Sequence, residues 1–128
     1  MKLLLDTHAF LWGLQDSPRL SRAARDALSS AQNDLLLSVA SAWELSIKAG
    51  LGQLDLAEDL DGFLREQLRL WRIEPLPVTL RHATAVRDLP PHHRDPFDRM
   101  LVVQAISEGA ILLTDDERLR RYDVQVLW

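Results

Sequence analysis

Short apolar runs alternate along the chain with longer stretches in which apolar residues recur every three or four positions. The runs "KLLLD" (2–6), "LLLS" (35–38), "RIEPL" (72–76), "AILLT" (110–114) and "VQVLW" (124–128) are bounded by polar or turn residues. Each is too short for a helix, and together they predict five strands. Between them, helical spacing predicts helices over 20–31, 40–50, 60–71, 80–89 and 97–109. The segment 60–71 carries Leu60, Phe63, Leu64, Leu68 and Trp71 on one stripe, and 40–50 ends on Gly50, a natural helix stop. Strands separated by helices of this length pair in parallel through right-handed crossovers. The expected fold is therefore α/β, a three-layer α/β/α sandwich around a central, mostly parallel five-stranded sheet.

Length and composition narrow this picture. At 128 residues and 47% hydrophobic, the chain suits one domain spanning 1–128 with a real core. No cysteine is present, which excludes disulfides, thiolate metal sites and a cysteine nucleophile. The opening "MKLLLDTHAFLWGL" is interrupted by Asp6 and His8, so it reads as neither signal peptide nor membrane span, and a soluble cytoplasmic protein is expected. A net charge of −4, from 15 Lys+Arg against 19 Asp+Glu, argues against nucleic-acid binding by bulk charge. Setting aside four acids as metal ligands would remove that imbalance.

The acids fall where an open parallel sheet binds its ligands, beyond the carboxyl ends of the strands. Asp6 follows "LLL", and Asp115 and Asp116 follow "ILLT"; "LLLS" leads into the helix carrying Glu44, and Asp98 sits in the first turn of the helix that feeds the strand ending at Thr114. Most have a purely structural account as well. Glu44 lies three residues after Ser41, and Glu117 three after Thr114, the spacing of a capping box. Asp95 before Pro96 reads as an N-cap, with Asp98 favoured by the helix dipole. Asp6 ends an apolar strand with no helix turn to favour it, so its burial calls for a partner. Converging carboxylates repel and are stabilised by protonation, basic partners or hard divalent cations. Only two lysines, Lys2 and Lys48, occur in the chain. All-oxygen ligation suits Mg²⁺ or Mn²⁺ rather than zinc.

Four blocks, "LLLDTHAFLW", "SVASAWELSIKAGLGQL", "HHRDPFDRMLVVQA" and "ILLTDDERLRRYDVQVLW", resemble a PIN domain, and more closely the VapC-type toxin ribonucleases of bacterial toxin-antitoxin pairs. The resemblance covers nearly the whole chain. It implies a PIN-like fold with catalytic, metal-binding acids at Asp6, Glu44, Asp98 and Asp116, with Asp115 in the same motif as the alternative to Asp116 for the fourth acid. It also implies polar support from Thr7, Ser38 and Thr114, with Asp95 and Asp115 beside the site. The implied activity is Mg²⁺- or Mn²⁺-dependent endoribonuclease cleavage of tRNA or other structured RNA, by a homodimer silenced by a cognate antitoxin protein.

RNA has to be held by groups outside the acidic pocket. Arg94, Arg99 and Arg118, with Arg120 and Arg121, lie close in sequence to Asp98 and Asp116 and are candidate phosphate contacts, although each equally suits a solvated helix face. His92 and His93 read as loop residues or RNA contacts rather than metal ligands, and His8 as a packing residue. Trp43 and Trp71, in amphipathic helices, are expected in the core; Trp12 and Trp128 suit a partner surface. "AGLGQ" follows a helix, so its Gly-x-Gly is a helix stop and not a phosphate loop. Two other classes compete: a non-catalytic module whose acidic pocket accepts a basic segment, and a receiver-like phospho-accepting domain, which would want a lysine at the end of a late strand that "ILLTDD" does not supply. A DNA-directed nuclease of the same fold is a third alternative.

Overall fold

The computed structural model describes residues 1–56 and 58–128. Five strands form one sheet: β1 (Lys2–Leu5), β2 (Asp34–Ser38), β3 (Ile73–Leu76), β4 (Ile111–Leu113) and β5 (Val126–Leu127), in the order β3-β2-β1-β4-β5. Every pairing is parallel, so the expected "mostly parallel" sheet is wholly so. Alternate residues of each strand serve different layers. Leu3, Leu5, Leu35, Leu37 and Leu113 pack with Phe10, Leu28, Leu45 and Leu64 on one face. Leu4, Leu36 and Leu112 pack with Leu101, Val102 and Leu119 on the other. Burial on both faces is why the three central strands β2, β1 and β4 read as nearly unbroken leucine runs instead of alternating ones.

The helices are α1 (Thr7–Leu14), α2 (Arg22–Ser29), α3 (Val39–Gly50), α4 (Leu60–Leu70), α5 (Leu80–Ala85) and α6 (Pro96–Glu108). The single helix expected over 80–89 is instead α5 followed by a 3₁₀ turn, Val86–Asp88. A second 3₁₀ turn, Glu117–Arg121, fills the space between β4 and the short β5. Gly109, in the left-handed region at φ 63°, ends α6. Among the described residues, no helix is long and apolar enough to cross a membrane.

From β1 the chain moves outward to β2 and β3, then returns to lay β4 and β5 on the other side of β1. The order reverses between β1 and β4, and a crevice opens beyond the carboxyl ends of those two strands, where ligands of open α/β sheets bind. Leu5 pairs with Leu113, and the Asp6 N–H continues the ladder to the Leu113 carbonyl at 3.0 Å. Asp6 and Thr114 therefore emerge side by side.

Two expectations about tryptophan are corrected here. Trp43 is 63% exposed and Trp71 40%, so neither is a core residue. Helix α3 is apolar around most of its circumference; it buries Ala40, Ser41, Glu44 and Leu45 and turns Val39, Trp43 and Ile47 outward. With apolar residues on both faces, spacing alone cannot say which stripe is buried.

Candidate metal-binding active site

Asp6 is the N-cap of α1: one carboxylate oxygen accepts from the Ala9 N–H at 2.6 Å, and the other accepts from the Thr114 hydroxyl. The expectation that no helix turn favours Asp6 is thereby corrected, because α1 begins at the very next residue. Capping and the threonine bond satisfy this acid without neutralising it. Burial pushes its carboxyl above the usual range, against the pull of Thr114 and Ala9.

Glu44 reaches the same crevice from α3. Its Oε1 accepts from the Thr7 hydroxyl at 2.7 Å, and its Oε2 lies 3.0 Å from the Lys48 ammonium. Ser41 stands 3.0 Å from the Thr7 hydroxyl rather than forming a capping box with Glu44. The cap of α3 is Ser38, whose hydroxyl accepts from the Ala40 N–H at 3.0 Å, so Ser38 supports the helix that carries Glu44. Likewise Asp116, and not Thr114, caps the turn containing Glu117.

The other two acids lie farther out. Asp95 caps α6, accepting from the N–H groups of Phe97 at 2.8 Å and Asp98 at 3.3 Å, with Pro96 in the first turn. That leaves the Asp98 carboxylate free to face the crevice, where its Oδ2 is 3.1 Å from His93 Nε2. The same nitrogen is 3.1 Å from Asp116 Oδ2. Asp116 also takes a two-pronged contact from Arg118, at 3.0 and 2.9 Å. Asp115 is exposed, whereas Asp116 is turned toward Asp98.

These environments set charges in opposite directions. Burial, then the fields of Asp95, Asp6, Glu44 and Asp116, push the Asp98 carboxyl up to about 7. Burial works to raise Asp116 as well, but hydrogen bonds from Arg118 and His93 outweigh it and hold this carboxyl below the usual range. The cluster thus contains more negative charge than its own cations balance.

His93, expected as a loop residue or RNA contact, takes a further role that sequence reading missed. Its Nδ1 accepts from the Asp95 N–H at 3.0 Å, which puts the ring proton on Nε2, aimed at Asp98 and Asp116. The only available hint was its place two residues ahead of the Asp95 cap. Arg99, a candidate RNA contact, is not part of the cleft wall. Its guanidinium donates to the carbonyls of Val86, Leu89, Pro90 and His93 and to the Tyr122 hydroxyl, and that hydroxyl also accepts from the His93 N–H. Arg99 holds the loop that carries His93. Arg94 and Arg118 do line the cleft, which measures about 890 Å³ and contains all four acids.

The family model described as "PIN domain" matches residues 3–125. Ribonuclease VapC22 of Mycobacterium tuberculosis is 33% identical over 123 residues, covering 94% of this chain and 91% of that protein. Among solved structures, VapBC2 of Rickettsia felis, bound to a promoter DNA fragment, superposes with a TM-score of 0.74 at 17% identity, covering 99% of this chain and 98% of the other. DNA-bound VapBC of Salmonella typhimurium gives 0.69 at 20% identity, covering 99% and 97%. The two superpositions carry the fold, the relative and the domain match carry the family, and the chain belongs to the PIN-domain family as a VapC-type member.

Proposed function

We propose that this VapC-type ribonuclease hydrolyses phosphodiester bonds of RNA at the acidic cleft, with Mg²⁺ or Mn²⁺ held by Asp6, Glu44, Asp98 and Asp116, as the cytoplasmic toxin of a toxin-antitoxin pair. PIN-domain nucleases use a divalent metal. The observation that carries the reading is the convergence of the four carboxylates on one cleft, where among the described residues Lys48 pairs with Glu44 and Arg118 with Asp116 while Asp6 and Asp98 have no lysine or arginine partner; in keeping with this, burial and four neighbouring acids push the Asp98 carboxyl up to about 7. Such a site gains most from a hard cation. The donor set fits one: it is all carboxylate oxygen, in a chain without cysteine. His93 fits as a hydrogen-bond donor rather than a ligand, because its Nε2 carries the proton. When bound, the ion would supply Lewis acidity at the scissile phosphate and make a coordinated water a better nucleophile.

The chain's own residues do the positioning. Thr114 and Thr7 orient Asp6 and Glu44, while His93 holds the Asp98 and Asp116 oxygens toward each other. Arg94, at the cleft wall, is suited to an RNA phosphate. An antitoxin would silence the site most directly by inserting an arginine among the carboxylates, the two-pronged contact that Arg118 already makes on Asp116.

The test is incubation of the purified chain with total RNA, single-stranded DNA and acetyl phosphate, each with Mg²⁺, Mn²⁺ or EDTA. Cleavage of RNA alone, abolished by EDTA, is the expected result. Full cleavage in EDTA, cleavage of DNA instead, or uptake of phosphate from acetyl phosphate would overturn it.

A further inference from the structure

Seven acidic side chains line the cleft, including Asp95, Asp115 and Glu117 besides the four of the cluster, so most of its wall repels an RNA backbone. Its lining from α1 and the segment after it has a different character. His8 and Trp12 stand four residues apart on one face of α1, with ring centroids 5.5 Å apart and planes inclined by 18°. The Arg19 guanidinium carbon lies 5.7 Å from the Trp12 ring centroid. Trp128 meets Trp12 edge-on at 5.7 Å, which fixes the indole from the side of the core. His8 is exposed, and it follows Asp6 by only two residues.

The cations of the cleft divide into paired and unpaired. Lys48 and Arg118 are paired with Glu44 and Asp116. Among the described residues, Arg19 and Arg94 have no carboxylate partner. A flat ring beside an unpaired guanidinium, next to acids proposed to hold the catalytic ion, matches one repeating unit of single-stranded nucleic acid: a base to stack and a phosphate to neutralise. Stacking tolerates any base, and a ring already held by a second ring loses little freedom when a base settles on it.

We propose that the exposed face of His8, backed by Trp12, is a stacking platform for a nucleobase of the RNA strand entering the cleft, with Arg19 contacting a phosphate of that strand. This rests on the ribonuclease reading above and assigns part of its substrate grip. A protein partner could also cover these rings, but the unpaired guanidinium beside them favours a phosphate-bearing strand.

The experiment measures anisotropy of a short fluorescein-labelled single-stranded RNA titrated with the full-length chain, with Ca²⁺ replacing the catalytic ion. Parallel cleavage of total RNA in Mg²⁺ supplies the control. His8→Ala should weaken binding about tenfold, the scale of one lost stacking contact. His8→Phe should restore it and His8→Lys should not, because the ring and not the charge is required. A version of the RNA lacking its bases should bind wild type and His8→Ala alike. Arg19→Ala should flatten the salt dependence of binding. His8 is exposed, so melting temperatures should stay unchanged. Equal RNA affinity for wild type and His8→Ala, or rescue by Lys in place of Phe, overturns the platform while total-RNA cleavage leaves the nuclease reading standing. A wild type that neither binds nor cleaves RNA overturns both.

Discussion

The four acids of the cleft fall into an inner pair and an outer pair, held in different ways. Asp6 and Glu44 are only 5% and 7% exposed, and each is met by a threonine hydroxyl rooted in the packed layers, Thr114 beyond β4 and Thr7 at the start of α1. Asp98 and Asp116 are more open, and a single imidazole from a loop bridges them. Hydroxyls orient a carboxylate without cancelling its charge; Lys48 offsets Glu44, but Asp6 has no lysine or arginine partner among the described residues, so it stays fixed in place and keeps repelling its neighbours. That repulsion is felt at Asp98, which lacks the arginine that relieves Asp116. Rigidity is thus supplied from the fold's interior, and the tunable charge sits nearer the surface.

The largest expected effect comes from removing a charge from each pair. Asp98→Asn and Asp6→Asn should each lower Mg²⁺-dependent RNA cleavage by at least about a hundredfold, the scale of losing one preorganised electrostatic group. The variants should stay folded, because the repulsion is relieved. If either cleaves at the wild-type rate, its pair lies outside the machinery.

Next comes the pH dependence of the metal-free chain. Asp98 titrates near 7 in the fold and near 3.8 when unfolded, so the native state holds its proton more tightly. The stabilisation is complete below about pH 4 and is lost as pH rises through about 7. Asp6, also raised, acts in the same direction, whereas Asp116, lowered, acts only in acid. With about 1.4 kcal/mol for each pH unit of separation and a discount for solvent screening, the protein should be roughly 2 kcal/mol less stable at pH 8 than at pH 5. Urea denaturation in EDTA measures this. Asp98→Asn should flatten most of the slope; an unchanged slope would mean that Asp98 carries no unusual proton.

A smaller change tests the inner pair's hydroxyls. Thr114→Val keeps the shape but leaves Asp6 Oδ2 without its donor and the Asp116 N–H without its acceptor, 3.1 Å away. A cost of about 1–3 kcal/mol in stability is expected, together with weaker Mg²⁺ binding by calorimetry. Loss of stability with unchanged Mg²⁺ affinity would confine Thr114 to a structural role.

Most of the fold was legible because the local signals agreed. Three leucine-rich runs, each bounded by polar residues, read as buried parallel strands, two short apolar runs supplied the edge strands β3 and β5, and Pro96 after Asp95 marked the start of α6. The acids at strand ends were legible for the same reason, since the sheet's topology dictates where strand ends converge. What stayed hidden depended on contacts distant in sequence. Thr7 meeting Glu44 and Thr114 meeting Asp6 join residues 37 and 108 positions apart. His93 and Arg99 are understood only once the loop is seen folded over Tyr122. The outward turn of Trp43 was concealed because α3 is apolar on both sides.

The smallest expected effect separates the two carboxylates of "DPFD". Asp95 spends its Oδ1 on the N–H groups of Phe97 and Asp98, and its own N–H fixes the His93 ring; Asp98 spends no carboxylate oxygen on the helix end. Asparagine offers the same Oδ1, so Asp95→Asn should keep the cap at a cost of a few tenths of a kcal/mol, while Asp95→Ala should cost about 1 kcal/mol. Charge gives the pair a second distinction. Apart from burial, Asp95 is the strongest influence raising Asp98, so Asp95→Asn should move the midpoint of the metal-free stability profile to lower pH while retaining most RNA cleavage. Melting temperature, cleavage rate and that midpoint, measured for both Asp95 variants beside Asp98→Asn, resolve the two roles. An inactive Asp95→Asn with its melting temperature intact would move Asp95 from the cap into the reacting cluster, and the outer pair would become a trio.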